Sequence, residues 1–288
     1  MLPTFVIGLR EGLEAALIVG IVAGFLGRQG RRDALRQVWL GVIAAVLICI
    51  VVGVVLEVVS ADLPQAEQEG LETVIGVLAV GMVTYMVVWM RRHSRDLKGE
   101  LEGQAGAALA RGSASALVLM AFLAVLREGF ETAVFLLAAF QASTSPILAG
   151  SGALIGILLA VVLGYGIYKG GVKLNLSKFF RATGVVLVLV AAGLLMTACH
   201  TAHEAGWLNF GQQRVADLSW FVLPGTPVSS LVTGVLGIQP YPVLIEVLAW
   251  FLYLVPLLVY LLWPQRRPAR PAHHEPVPEH PSPAPSTS

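Results

Sequence analysis

Seven stretches of this chain are each long and apolar enough to cross a lipid bilayer, at roughly 3–27, 37–59, 71–90, 114–140, 147–168, 180–201 and 243–263. A span needs about 20 mostly apolar residues. Within lipid each backbone N–H and C=O must be paired inside the segment, so such stretches fold as helices. Composition agrees: 56% of the residues are apolar and 13% charged, and the mean hydropathy is +0.77. A soluble domain carries about 25% charged residues. This charge deficit excludes soluble binding modules and nucleic-acid binding. The expectation is an all-α integral membrane protein of seven transmembrane helices. The stretch 205–242 is less apolar and is broken by Pro224, Pro227, Pro240 and Pro242, so it reads as a long loop with re-entrant or interfacial pieces. The first residues, MLPTFVIGLREGLE, lack a basic leader region and read as the start of the first helix.

The placement of charge sets an expected topology. All but three of the 19 basic residues fall in the loops after helices 1, 3 and 5 and in the tail. The exceptions are Arg10 and Arg127, inside spans, and Arg214. By the positive-inside rule the N-terminus is outside and the C-terminus inside, as for a multi-pass protein of the cytoplasmic (inner) membrane. Between helices 2 and 3, Glu57, Asp62, Glu67, Glu69 and Glu72 form an acidic stretch without Lys or Arg. It reads either as a mouth that attracts cations or as carboxylates that solvate a short loop. Residues 264–288 hold eight of the 16 prolines, with His273, His274 and His280. They read as a disordered Pro-rich cytoplasmic tail behind a membrane domain of residues 1–263. Cys49 and Cys199 lie in apolar runs, with no CxxC spacing, and read as small buried hydrophobes.

Two of the spans carry charges at mid-length, in nearly the same words. Leu9–Leu17 reads LREGLEAAL and Leu126–Val134 reads LREGFETAV, identical at six of nine positions. The copies recur at a period of three helices, on helices 1 and 4, so helices 1–3 and 4–6 are expected to form an inverted repeat, with helix 7 added. Transporters use such repeats to place a substrate near the bilayer midplane. Each charge at the middle of a span costs roughly 2.5–3.5 kcal/mol on the lenient scale, so the motifs must face protein or water. Arg10 and Glu14, and likewise Arg127 and Glu131, are i,i+4 pairs that can neutralise each other, leaving Glu11 and Glu128 uncompensated. Gly12 and Gly129 permit close helix approach, by which the two motifs could meet across the repeat axis. Four carboxylates against two guanidiniums leave a formal charge of −2, which a multivalent cation would balance through hard oxygen ligands. Ion pairs that only lock the helices, with Glu11 and Glu128 carrying protons, and a proton relay are the alternatives.

Other residues add smaller signals. His200, His203 and Glu204 share one face at the end of helix 6 and suit a metal arriving at an entrance, or a pair of interfacial histidines. Glu246, near the start of helix 7, is a further entrance candidate. Met82, Met86 and Met90 form a stripe on helix 3 that reads as packing before it reads as a soft-metal path. No HExxH or ExxH motif is present, which argues against zinc proteolysis and His-rich di-iron chemistry. A membrane-embedded metalloenzyme and an iron sensor stay as rivals from other classes, beside a proton-coupled carrier for another cation.

The chain resembles the iron permease family of oxidase-dependent iron transporters, and its bacterial EfeU-type ferrous-iron branch more than the fungal high-affinity branch. The resemblance runs over roughly 1–263. It is carried by REGLE at Arg10–Glu14 and REGFE at Arg127–Glu131. It is supported by LPQAEQE at Leu63–Glu69, VWMRRHSR at Val88–Arg95, KGGVKLNL at Lys169–Leu176 and HEAGWLN at His203–Asn209. Phe130 stands where the family usually has Leu. The resemblance implies seven spans and high-affinity uptake of iron as transported substrate, with no permanently bound cofactor and no enzymatic activity. It implies Glu11, Glu14, Glu128 and Glu131 as the iron-handling core, and periplasmic iron-binding and iron-oxidising partner proteins. Carboxylates accept both Fe(II) and Fe(III), so the residues leave the valence open.

Overall fold

The computed structural model describes residues 1–93, 114–169 and 175–263, apart from 29, 31, 144, 221, 223–231 and 234–235. The Pro-rich tail expected at 264–288 lies outside them. The described residues form seven long helices: α1 Leu2–Arg28, α2 Arg32–Ala61, α3 Gln65–His93, α4 Ala114–Gln141, α5 Pro146–Tyr168, α6 Leu176–Glu204 and α7 Leu244–Leu262. All seven expected spans are helices. Most run a few residues past the apolar windows, because the polar flanking turns continue the same backbone pairing. Five of them, α2, α3, α5, α6 and α7, meet the length and hydropathy of a membrane span, while α1 and α4 fall short through the charges their motifs carry.

The packing shows the inverted repeat. The chief partners are α1 with α5, α2 with α4, α3 with α6, and α1 with α4. Exchanging α1 with α4, α2 with α5 and α3 with α6 turns the first pair into the second and returns the other two to themselves. Directions obey the same exchange. Along α1 and α5 the contacts advance together, Gly8 at Ala153 and Ile157, Gly12 at Ala160, Gly24 at Tyr168. Along α2 and α4 they also advance together, Gly41 at Val118 and Phe122, Gly53 at Ala133. Between α3 and α6 they run oppositely, with Thr73 bonded to Thr201 and Gly76 against Ala198.

Small residues make the α1–α5 contact. The buried residues of α5 are Ala149, Gly152, Ala153, Gly156, Ala160 and Gly164. A Cβ on Gly156 would lie 2.3 Å from the Phe5 carbonyl oxygen and 2.8 Å from the Leu9 nitrogen, so the two backbones touch there. Lipid tails are as apolar as Leu, so close van der Waals contact of this kind drives helix association in a membrane. The main apolar core lies among α1, α3, α4 and α6, where Ile7, Val83, Phe135, Leu187 and Val188 are buried. By contrast α2 turns Leu40, Leu47, Ile50, Val51, Val54 and Val55 outward, as does α5 Ile147, Leu154, Leu158 and Val162, as lipid-facing surfaces do.

Helix α7 is tied at both ends. Its last carbonyls accept from arginines on other helices, Trp263 O from Arg91 at 2.6 Å and Leu262 O from Arg181 at 3.2 Å, which satisfies groups a helix end leaves open. At its start Glu246 accepts the Val243 N–H at 3.1 Å. In the stretch 205–242, Arg214 pairs with Val243 as an isolated antiparallel bridge. Gly237, at φ +69°, presses on Gly193 of α6. Gly193 precedes the end of α6 at Glu204 by a distance of about 16 Å at 1.5 Å per residue. This part of the loop therefore dips into the bundle, as a re-entrant piece does.

Candidate metal centre between the repeated motifs

The close packing described above decides where the motif side chains point. A Cβ on Gly12 would meet Ala160 of α5, and one on Gly129 would meet Cys49 Sγ of α2 at 2.6 Å. The motif glycines thus seat each motif helix against the second helix of the other half. The close approach that the glycines permit is therefore to α5 and α2. With α5 and α2 occupying the glycine faces, the neighbouring positions 11, 128 and 131 turn toward the α1–α4 crossing. There Glu11, Glu128 and Glu131 each offer a carboxylate oxygen, and these oxygens lie within 4.8 Å of one another. Glu11 is 1% exposed and Glu128 6%, and the Glu131 side chain is 12% exposed.

The guanidiniums are arranged unequally. Arg10 is buried and pairs with both carboxylates of its own motif, Nη1 to Glu11 at 3.1 Å and Nη2 to Glu14 at 3.1 Å. The i,i+4 spacing alone points only to Glu14. Nη1 also meets Met86 Sδ on α3, and the guanidinium lies 5.8 Å from the centre of the Phe180 ring on α6. Met86 and Met90 are buried in the core, as packing residues are. Arg127 bonds Glu131 at 2.9 Å and approaches Glu128 at 3.9 Å, but its side chain is 56% exposed. Glu14 is held by Arg10 and is not in the three-carboxylate group.

Carboxylate pairs at about 4 Å repel by roughly 4 kcal/mol at an effective dielectric of about 20. One oxygen of Glu11, Oε2, is buried without a hydrogen-bond partner. Two oxygens bound to one ion at 2.0–2.2 Å are separated by roughly 4.4 Å at most, close to the 4.8 Å within which these oxygens lie. Hard oxygen donors, crowded, anionic and partly unpartnered, suit a hard or borderline multivalent cation.

The expected entrance residues lie where α2 and α6 end and α3 and α7 begin. His200 Nδ1 is 3.1 Å from Glu246, and His200 Nε2 is 3.5 Å from Glu204. The Glu69 carboxyl lies against that of Glu204, and Glu72 is near Glu57 and Glu204. Glu67 is exposed in the first turn of α3. His203 departs from the group: its Nδ1 meets the Leu208 carbonyl at 2.8 Å. Glu246 gave only a faint signal in the sequence, yet it is 1% exposed and holds His200. A lone acid in the first turn of an apolar span was the sign of it.

Comparison with known proteins covers nearly the whole chain. The Iron permease FTR1 family matches residues 1–266. The chain is 42% identical to the ferrous iron permease EfeU of Escherichia coli O6:K15:H31 (strain 536 / UPEC) over 268 residues, 92% of this chain and 97% of that protein. It is similarly 42% identical to the ferrous iron permease EfeU of Yersinia pestis over 271 residues, 93% of this chain and 96% of that protein. No solved structure matches. Two inverted halves crossing at a repeated Arg-Glu-Gly-x-Glu motif, with relatives along almost the full length, have one reading: the chain belongs to the iron permease FTR1 family.

Proposed function

We propose that this protein carries iron across the cytoplasmic membrane into the cell, binding it between the two repeated motifs. The observation that carries this reading is the convergence of Glu11, Glu128 and Glu131 from opposite halves within 4.8 Å. The family relatives, named as ferrous iron permeases, supply the identity of the ion. Iron is the transported substrate, bound in passing, and the chain works as a transporter without a resident cofactor and not as an enzyme. Glu14 follows Glu11 by one turn on the side toward the basic loops and is the next carboxylate inward. Arg10 and Arg127 hold back part of the negative charge, which keeps the site from binding the ion too tightly to release it.

Radio-iron uptake into proteoliposomes tests the centre. Glu11→Gln with Glu128→Gln removes two of the three clustered anions at nearly constant volume, and uptake is expected to fall at least tenfold. Undiminished uptake by a protein of normal yield would overturn the reading.

The orientation proposed is N-terminus outside, C-terminus inside, because the loops after α1, α3 and α5 carry the Lys and Arg. On a Cys-free background in intact spheroplasts, a cysteine replacing Asp62 should react with an impermeant maleimide, and one replacing Lys169 should react only after lysis. The reverse pattern would invert the topology. Periplasmic iron-binding and iron-oxidising proteins are the partners proposed for the outer face, on the strength of the family resemblance.

A further inference from the structure

At the end of the bundle where α7 begins and α6 ends, nitrogen and oxygen donors from these two helices converge. Glu246 is buried, with both oxygens engaged: Oε1 lies 3.1 Å from His200 Nδ1, and Oε2 accepts the Val243 N–H at 3.1 Å. On the far side of the imidazole, Nε2 stands 3.5 Å from Glu204 Oε1. The His200 and Glu204 side chains are 41% and 43% exposed, so an ion can reach them from water.

The geometry points to a second metal site, in which His200 Nε2 and Glu204 take a first-row divalent cation and Glu246 orients the imidazole. The two sides of the ring are not alike. The Nδ1 contact has the length of a hydrogen bond, while the Nε2 contact is beyond the usual range of one. Two ligands held by one tetrahedral ion at 2.0–2.2 Å stand roughly 3.4 Å apart, which is the spacing seen between Nε2 and Glu204. A buried carboxylate behind Nδ1 is the usual support of a metal-bound histidine: it fixes the tautomer that presents the Nε2 lone pair and keeps the ring in place. Imidazole with carboxylate suits Fe(II), Co(II) or Zn(II) over Mg(II) and Ca(II). The central group offers oxygen alone. The site rests on the permease reading in one respect, that the ion it holds is the one passed on toward Glu11, Glu128 and Glu131.

Cobalt(II) is the probe, because its visible absorption reports nitrogen ligation. The full-length protein, purified through a histidine-free tag, carries Glu11→Gln, Glu128→Gln and Glu131→Gln so that the central group is silent. One Co(II) per chain with an imidazole-ligated spectrum is expected to disappear on His200→Ala and to bind at least tenfold more weakly in Glu204→Gln. His203→Ala should leave it unchanged. Glu246→Gln should keep the spectrum while weakening affinity about 10–100-fold. Unchanged cobalt binding in both His200→Ala and Glu204→Gln overturns the site, and so does equal loss in His203→Ala. Iron uptake by the triple variant is read separately: persistent uptake counts against the central reading, while the cobalt spectrum alone judges this site.

Discussion

Arg10→Gln is expected to destabilise the folded protein by about 3–5 kcal/mol, the cost of leaving buried charge without its partner, and more than Arg127→Gln does. The two arginines stand at the same place in the repeated motif, so the sequence alone predicts equal effects. The structure separates them. Arg10 is 1% exposed, pairs with two carboxylates and is enclosed by Met86 and Phe180. Its removal strands Glu11 and Glu14 in a medium that cannot solvate them. Arg127 is 56% exposed, so fewer enclosed contacts are lost with it. Thermal unfolding of the purified proteins, followed by tryptophan fluorescence, measures the difference. Equal losses of stability for the two variants would contradict the asymmetry.

Gly156→Val should be the most damaging apolar substitution on α5. The added carbons would meet the Phe5 carbonyl oxygen and the Leu9 nitrogen, both backbone atoms, at 2.3 and 2.8 Å from the Cβ. A side chain can rotate away from such a clash, but a helix backbone cannot, so α1 must move as a body. Overpacking typically costs about 1–3 kcal/mol. The displacement also carries Glu11 away from Glu128 and Glu131, and iron uptake is expected to fall at least tenfold even in protein that still folds. Gly150→Ala is the control, because nothing lies within 4 Å of a Cβ there, and it should transport normally. Normal uptake by Gly156→Val would mean that the α1–α5 contact does not position the centre.

Much of the fold was legible because lipid restricts the backbone so severely. Length and hydropathy located seven helices, and the doubled LREG motif implied two halves of opposite direction. The pairing of helices was not legible. Nothing in a run such as GSGALIGILLAVVLG says that its small residues receive α1 in preference to α4, since the spacing of small residues marks a contact face without naming its partner. For the same reason Gly12 and Gly129 pointed to close packing but not to α5 and α2. The carboxylates of the centre were legible because a charge inside a span must have a use. Their unequal guanidiniums were not, since burial of Arg10 depends on Met86 and Phe180, far away in sequence. His200 and Glu204 share a helical face and could be paired from spacing. Glu246 comes from another helix, 46 residues on from His200, and only the tertiary structure brings it there.

The crossed arrangement of helices has a consequence for how such a chain could have come about. Each charged helix leans on a helix belonging to the opposite half, so three helices alone would leave a glycine-lined groove and a cluster of acids open to lipid. A single half could persist only as a couple of identical copies threaded through the membrane in contrary senses. Two such halves within one polypeptide need not be identical, and the enclosed Arg10 beside the open Arg127 shows that these are not.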